Sequence, residues 1–135
     1  DIPFLKQVFA CMKAFIIDRE DLKQSMQVIV NVIREVRAGR NYLIFAEGTR
    51  SKNGNHPGTF KGGSFKTATK TKCPIVPVAL IDSFKAFDTG STEKITVQVH
   101  ILPPMYYEEY KDMHTTEIAE EVKRRIEKVI EENTI

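Results

Sequence analysis

With 135 residues, 41% of them hydrophobic, the chain is long enough for one domain with a buried core, yet short for an α/β enzyme holding both a donor and an acceptor. A formal net charge of +2 is too mild for a nucleic-acid binder, and no DNA- or RNA-reading signature accompanies it; small anions or a membrane surface suit it at least as well. Cys11 and Cys73 lack paired spacing, so neither a disulfide framework nor a zinc site is suggested and a reducing compartment is the simpler expectation.

No apolar run reaches the length needed to cross a bilayer, and the opening Asp1-Ile2-Pro3, without an initiator Met or basic leader, reads as an excised or mature segment. Phe4, Leu5, Val8, Phe9 and Met12, beside Lys6 and Lys13, form an apolar stripe. Packing into a core is the commoner fate of such a stripe; the alternative is an interfacial patch on a membrane. Phe15-Ile16-Ile17-Asp18 predicts a short strand. Residues 21–38 predict a helix with Leu22, Met26, Ile29, Val30, Ile33 and Val36 on one face, Asp21 as N-cap and Gly39 just past the end. Residues 41–46 predict a second strand, and Gly62 to Lys72 a modest helix opening at Gly62-Gly63-Ser64. Pro74 to Ile81 is almost continuously apolar, as strands covered on both faces are. Lys94 to Leu102 alternates, placing Ile95, Val97, Val99 and Ile101 inward. Thr116 to Asn133 repeats Ile118, Val122, Ile126, Val129 and Ile130 along a charged helix. Alternating strands and helices predict an α/β fold, a mixed, mostly parallel sheet flanked by helices, in a single domain spanning 1–135.

The chemistry concentrates in Tyr42-Leu43-Ile44-Phe45-Ala46-Glu47-Gly48-Thr49-Arg50-Ser51, where an apolar run enters a glycine-containing polar loop with an acid and an arginine. Loops beyond the carboxyl ends of α/β strands bind ligands, and a guanidinium fork matches phosphate oxygens. Arg19 follows the first predicted strand and Arg50 the second, so if these strands are neighbours both guanidiniums meet at one sheet edge as a phosphate clamp. Glu47 is placed to orient one of them, Gly48 to allow close backbone approach, and Lys61 to stand before a helix N-terminus. Taken singly, each is better explained without a ligand: Glu47 and Arg50 as a solvated turn, Arg19 as a surface charge, Lys61 as a solvated loop lysine and Gly62-Gly63 as a plain helix-entry turn.

Several chemistries find no support. Neither a nucleotide P-loop nor a dinucleotide fingerprint is present, and Ser51, Ser64 and Ser83 lack the setting of a hydrolase nucleophile elbow. His56 falls in an Asn-Gly-Asn-His-Pro-Gly loop, His100 on the polar side of a strand and His114 before the last helix, all readable as structural or solvent-exposed.

Taken together, these segments resemble the glycerolipid acyltransferase family over nearly the whole chain. Phe15-Ile16-Ile17-Asp18-Arg19 is similar to that family's second motif, Phe45-Ala46-Glu47-Gly48-Thr49-Arg50-Ser51 to its third and Val76-Pro77-Val78-Ala79-Leu80 to its fourth; Phe60-Lys61-Gly62-Gly63 and Ile2-Pro3-Phe4 also fall where similar segments lie. The resemblance implies that Arg19, Glu47, Gly48, Thr49 and Arg50, with Lys61, bind the glycerol phosphate of an acceptor, and that the Pro77 strand shapes the floor of the site. It implies transfer of a fatty acyl group from acyl-CoA or acyl-carrier protein to 1-acyl-glycerol-3-phosphate, giving phosphatidic acid for phospholipid biosynthesis. No metal or tightly held cofactor is implied, and a peripheral place on the cytoplasmic face of a membrane is expected because the acceptor is a lipid.

Two departures stand out. Ala46 occupies a position where the family usually has proline, which frees φ and restores an N–H while leaving the charged groups in place. The family's first motif, a histidine with an aspartate five positions on, supplies the general base and the carboxylate that fixes its tautomer. Here Lys61, Met105 and Ala119 stand five positions after His56, His100 and His114, so the chain holds no such pair. It reads as the acceptor-binding and core portion of a domain truncated on its N-terminal side, with no catalytic residue of its own. The alternative is a noncatalytic module that binds phospholipid or phosphate through the same arginines.

Overall fold

The computed structural model describes residues 3–17, 21–88, 90 and 92–134, which fall into two units, Asp1–Tyr42 and Leu43–Ile135. In the first unit, α1 (Pro3–Cys11) opens on a proline, which is tolerated where the N–H has no intrahelical partner. Its Phe4, Leu5 and Phe9, and Met12 just past its end, are exposed, so this stripe is not a core face. Helix α2 (Leu22–Arg37) begins as predicted: the Asp21 Oδ1 accepts from the Gln24 N–H at 3.0 Å. It ends at Gly39, whose φ of +87° is the left-handed cap that glycine adopts without steric cost. The buried side of α2 differs from the predicted stripe. Val28 and Val32 are buried while Leu22, Met26 and Val30 are exposed. Apolar residues occupy more than one side of this helix, so spacing alone leaves its rotation undetermined.

The predicted first strand is not one. Residues 14–17 have no regular secondary structure and join no ladder; Ile16 offers its C=O to Gln24 Nε2 at 2.7 Å, and the Phe15 ring stacks on Tyr42 with centroids 5.7 Å apart. Asp18 and Arg19 lie outside the described residues.

The second unit is built around α6 (Thr115–Asn133). Of the predicted stripe, Ile118, Val122, Ile126 and Ile130 are buried and Val129 is partly buried, and Ala119, outside that stripe, is buried with them. They pack with Phe65, Ala68, Ala79, Ile81, Leu102, Met105 and Tyr110 into one apolar cluster. The Glu117 carboxylate accepts from the His114 N–H, so His114 serves as the helix cap. The predicted helix after Lys61 forms as a 3-10 turn, Gly62–Phe65, followed by α3 (Lys66–Thr71). Its entry is backed by α6: a Cβ on Gly62 would stand 3.1 to 3.2 Å from Thr115 and Thr116 atoms, so only glycine fits that approach without displacing backbone. Tyr110 is fully buried and donates its hydroxyl to the carbonyls of Cys73 and Ala68, in a site that pushes its pKa up to about 12, chiefly through burial.

Among the described residues, the sheet is two antiparallel strands, β1 (Val78–Ile81) and β2 (Gln98–Ile101), in place of the mostly parallel sheet expected. Residues 41–45, predicted as a strand, form no regular element and have no ladder partner among the described residues, and Ile75 adds one antiparallel bridge to Met105. A short α4 (Lys85–Asp88) lies between the strands and α5 (Tyr107–Tyr110) follows them. Pairing Ala79 with His100 and Ile81 with Gln98 puts Gln98 and His100 on the face that carries the buried Ala79 and Ile81. Val97, Val99 and Ile101, expected inward, are exposed, as are Val76 and Leu80. The alternation was legible, but the buried face is chosen by Ala79, Ile81 and Leu102, which outweigh the β-branched residues of the opposite parity. His100 meets Gln98 Oε1 at 3.0 Å on that buried-side face.

On α6, the Arg124 guanidinium grips Glu121 through two hydrogen bonds of 2.8 Å, and Arg125 Nε adds a third at 2.7 Å. These bonds, Arg124 first, hold the Glu121 carboxyl down at about 2, below its ordinary value of 4.5. Because the folded value is depressed, this stabilisation is complete above about pH 4.5 and disappears as pH falls towards about 2. Urea unfolding of Glu121→Gln across that window is expected to show a shallower loss of stability with acid than the unsubstituted chain.

Candidate functional site

The polar loop after Phe45 is fastened to the core of the second unit at both of its flanks. Ala46 and Phe60 pack against the buried cluster, and the Lys61 N–H donates to the Ala46 C=O at 2.9 Å. The alanine standing where proline is usual therefore lies on the core side, with its carbonyl committed. A tight turn follows, closed by the Gly48 N–H to Phe45 C=O bond at 3.0 Å, and Gly48 has a φ of +66° that an L side chain adopts only with strain. The Lys61 side chain passes beside it, its Nζ 3.6 Å from where a Cβ on Gly48 would be.

A second loop folds over against the first. The Gly58 N–H donates to Glu47 Oε2 at 2.8 Å, and a Cβ at residue 58 would come within 2.9 Å of that oxygen, so glycine makes room for the carboxylate. Ser51 Oγ donates to the His56 C=O at 2.8 Å and accepts from the Asn53 N–H at 3.2 Å, while the His56 N–H donates to Asn53 C=O at 3.1 Å. At its tip, Asn55 and Asp82 exchange two hydrogen bonds: Asn55 Nδ2 donates to Asp82 Oδ1 at 3.0 Å, and the Asp82 N–H donates to Asn55 Oδ1 at 2.7 Å. Hydrogen bonding from Lys85, then from Asn55, holds the Asp82 carboxyl below its ordinary pKa.

Between the two loops lies an open cleft of about 370 Å³, lined among others by Glu47, Thr49, Arg50, Lys52, His56 and Gly58. That is the small end of the usual range for ligand sites, roughly 300 to 1,000 Å³, and suits a head group better than an acyl chain. Basic Arg50 and Lys52 line the cleft together with Glu47, whose carboxylate accepts from a backbone N–H, a composition that suits an anion.

Of the predicted site residues, the structure brings Glu47, Thr49 and Arg50 to the cleft wall, with Gly48 in the turn and Lys61 alongside it. Pro77 is buried just before β1, its C=O accepting from Leu102 N–H at 3.0 Å. Arg19 lies outside the described residues, and so does its half of the predicted clamp. Lys52 and His56 were not anticipated as cleft residues; the turn-forming composition of Asn53 to Gly58 signalled a loop but not the wall it would form. Among the described residues no group of three or more His, Cys, Asp or Glu side chains stands where it would hold a metal ion, and no helix is long and apolar enough to cross a membrane.

A family model described as Acyltransferase matches residues 1–81, a span that contains the whole cleft. The chain belongs to the acyltransferase family. It is 30% identical to 1-acyl-sn-glycerol-3-phosphate acyltransferase of Borreliella burgdorferi, over 95% of this chain and 53% of that protein. It is 33% identical to the chloroplastic BAT2 1-acyl-sn-glycerol-3-phosphate acyltransferase of Brassica napus, over 78% of this chain and 31% of the relative. The Escherichia coli protein of the same activity name is 28% identical over 97% of the chain and 54% of its own length. This acyltransferase chain thus spans about half the length of the bacterial relatives it matches. No solved structure matches it significantly.

Proposed function

We propose that this chain is the acceptor-binding and core portion of a single acyltransferase domain, truncated on its N-terminal side, that acylates 1-acyl-glycerol-3-phosphate to phosphatidic acid in phospholipid biosynthesis. The observation that carries the reading is the cation-lined cleft built by the Glu47-Gly48-Thr49-Arg50 loop, inside the span that the family shares. Arg50 binds the acceptor phosphate, with Thr49, Lys61 and the Gly48 backbone beside it, while Glu47 holds the loop to Gly58. Pro77 shapes the floor of the site, and the mostly parallel, helix-flanked sheet implied by the family belongs to the longer protein.

In the reaction, the free hydroxyl of the acceptor attacks the carbonyl carbon of an acyl-CoA or acyl-carrier-protein thioester. The new O–C bond forms, the C–S bond breaks, and the thiol leaves with the proton taken from the hydroxyl. Holding the phosphate fixes the hydroxyl, which contributes by proximity and orientation. The protein works peripherally at the cytoplasmic face of a membrane, where its lipid acceptor resides, and the exposed Phe4, Leu5 and Phe9 of α1, with Met12 just beyond it, supply apolar contact. Release of free thiol from acyl-CoA by the longer protein, dependent on lysophosphatidic acid and lost in Arg50→Ala, tests this reading; turnover without the acceptor, or unaltered in that variant, would count against it.

A further inference from the structure

The loop facing Arg50 is held from outside the site. Its tip is tied by the reciprocal Asn55–Asp82 pair to the end of β1, across 27 residues of sequence. Asp82 stands there at a φ of +64°, a left-handed conformation that aspartate tolerates at a modest steric cost. Gly54, next to Asn55, also has a positive φ of +58°, and a Cβ on it would meet the Phe84 ring at 3.6 Å, so the tip rests on the turn after β1 as well as bonding to it. Lys85 Nζ holds the other oxygen of Asp82 at 2.8 Å, which leaves Oδ1 aimed at Asn55. From this anchor the chain runs two residues to His56 and Pro57, both cleft-lining, and then to Gly58, whose N–H holds Glu47 in the opposite loop. The anchor, the far wall and the Arg50 loop are thus joined by an unbroken series of hydrogen bonds and peptide bonds.

We infer that Asn55 and Asp82 are positioning residues of the anion site, fixing the 53–58 loop on β1 so that the cleft in front of Arg50 keeps the width of a phosphate head group. Neither side chain lines the cleft, so their effect on a ligand runs through the loop. The inference rests on reading the cleft as the phosphate site.

The test is binding of sn-glycerol 3-phosphate, followed by NMR titration together with a thermal melt, to the unsubstituted chain and to Arg50→Ala, Asn55→Ala, Asn55→Asp and the double variant Asn55→Asp/Asp82→Asn. Asn55→Ala deletes the pair without adding charge. Asn55→Asp sets two carboxylates against each other, and the double variant restores one donor and one acceptor with their positions exchanged. Both single Asn55 variants are expected to bind about tenfold more weakly, and the double variant to return to within about threefold of the unsubstituted chain. Rescue of this kind is not produced by a general loss of stability. Binding lost in Arg50→Ala but unchanged in Asn55→Ala would overturn the positioning role, as would a double variant no tighter than Asn55→Asp. If Arg50→Ala binds as well as the unsubstituted chain, the phosphate site itself is misplaced and the inference falls with it. Should Asn55→Asp fail to fold, Asn55→Ala and the double variant decide the question.

Discussion

The chain by itself is expected to transfer acyl groups about a hundred- to ten-thousandfold more slowly than a longer form carrying a histidine with an aspartate five positions on, the scale of a positioned general base. The acceptor hydroxyl is a poor nucleophile while it keeps its proton. His56, the one histidine lining the cleft, is followed five positions on by Lys61, and its backbone N–H and C=O are spent on Asn53 and Ser51 in shaping the loop. His100 sits against Gln98 in the sheet and His114 caps α6. Thiol release from acyl-CoA in the presence of lysophosphatidic acid, measured for both forms at equal concentration, reads the ratio directly. Equal rates, with the short chain's activity abolished by substituting one of its own histidines, would show that the base lies within these 135 residues. Such a result would assign the proton transfer to a group placed here in loop or cap geometry.

Arg50→Ala should weaken binding of a soluble lysophosphatidic acid analogue by about 1.5 to 3 kcal/mol, or roughly ten- to 150-fold, the scale of a hydrogen bond to a charged group. The substitution removes the planar fork from the cleft and leaves Lys52 as the remaining Lys or Arg among its lining residues. Arg50→Lys should recover only part of the loss, since an ammonium gives a point charge where the guanidinium gives two parallel donors. Equal affinity of all three proteins, with melts showing each folded, would remove Arg50 from the site.

What was legible in the sequence was mostly local. Asp21, Gly39 and the period of α6 lie within a few residues of the features they specify, so the caps of α2 and the buried face of α6 followed directly. The glycine-opened loop with Arg50 was likewise visible as a run of adjacent residues, and it forms a cleft wall. What failed was long-range. An apolar run such as 41–45 carries no mark of a partner strand, and the parity that turns Gln98 and His100, rather than Val99 and Ile101, toward the side of the buried Ala79 and Ile81 is decided by pairing with β1. The same holds for the second wall of the site. Asn55 and Asp82 are unremarkable separately, and only the fold brings them into a reciprocal pair.

The cleft beside Arg50 is expected to receive the phosphate of the acceptor. A crystal structure with bound sn-glycerol 3-phosphate tests it most directly. Phosphate density is expected between the 47–51 and 56–58 loops, with Arg50 donating to it and the Glu47–Gly58 hydrogen bond intact. Phosphate bound elsewhere on the chain, with the Arg50 guanidinium turned out of the cleft, would contradict it.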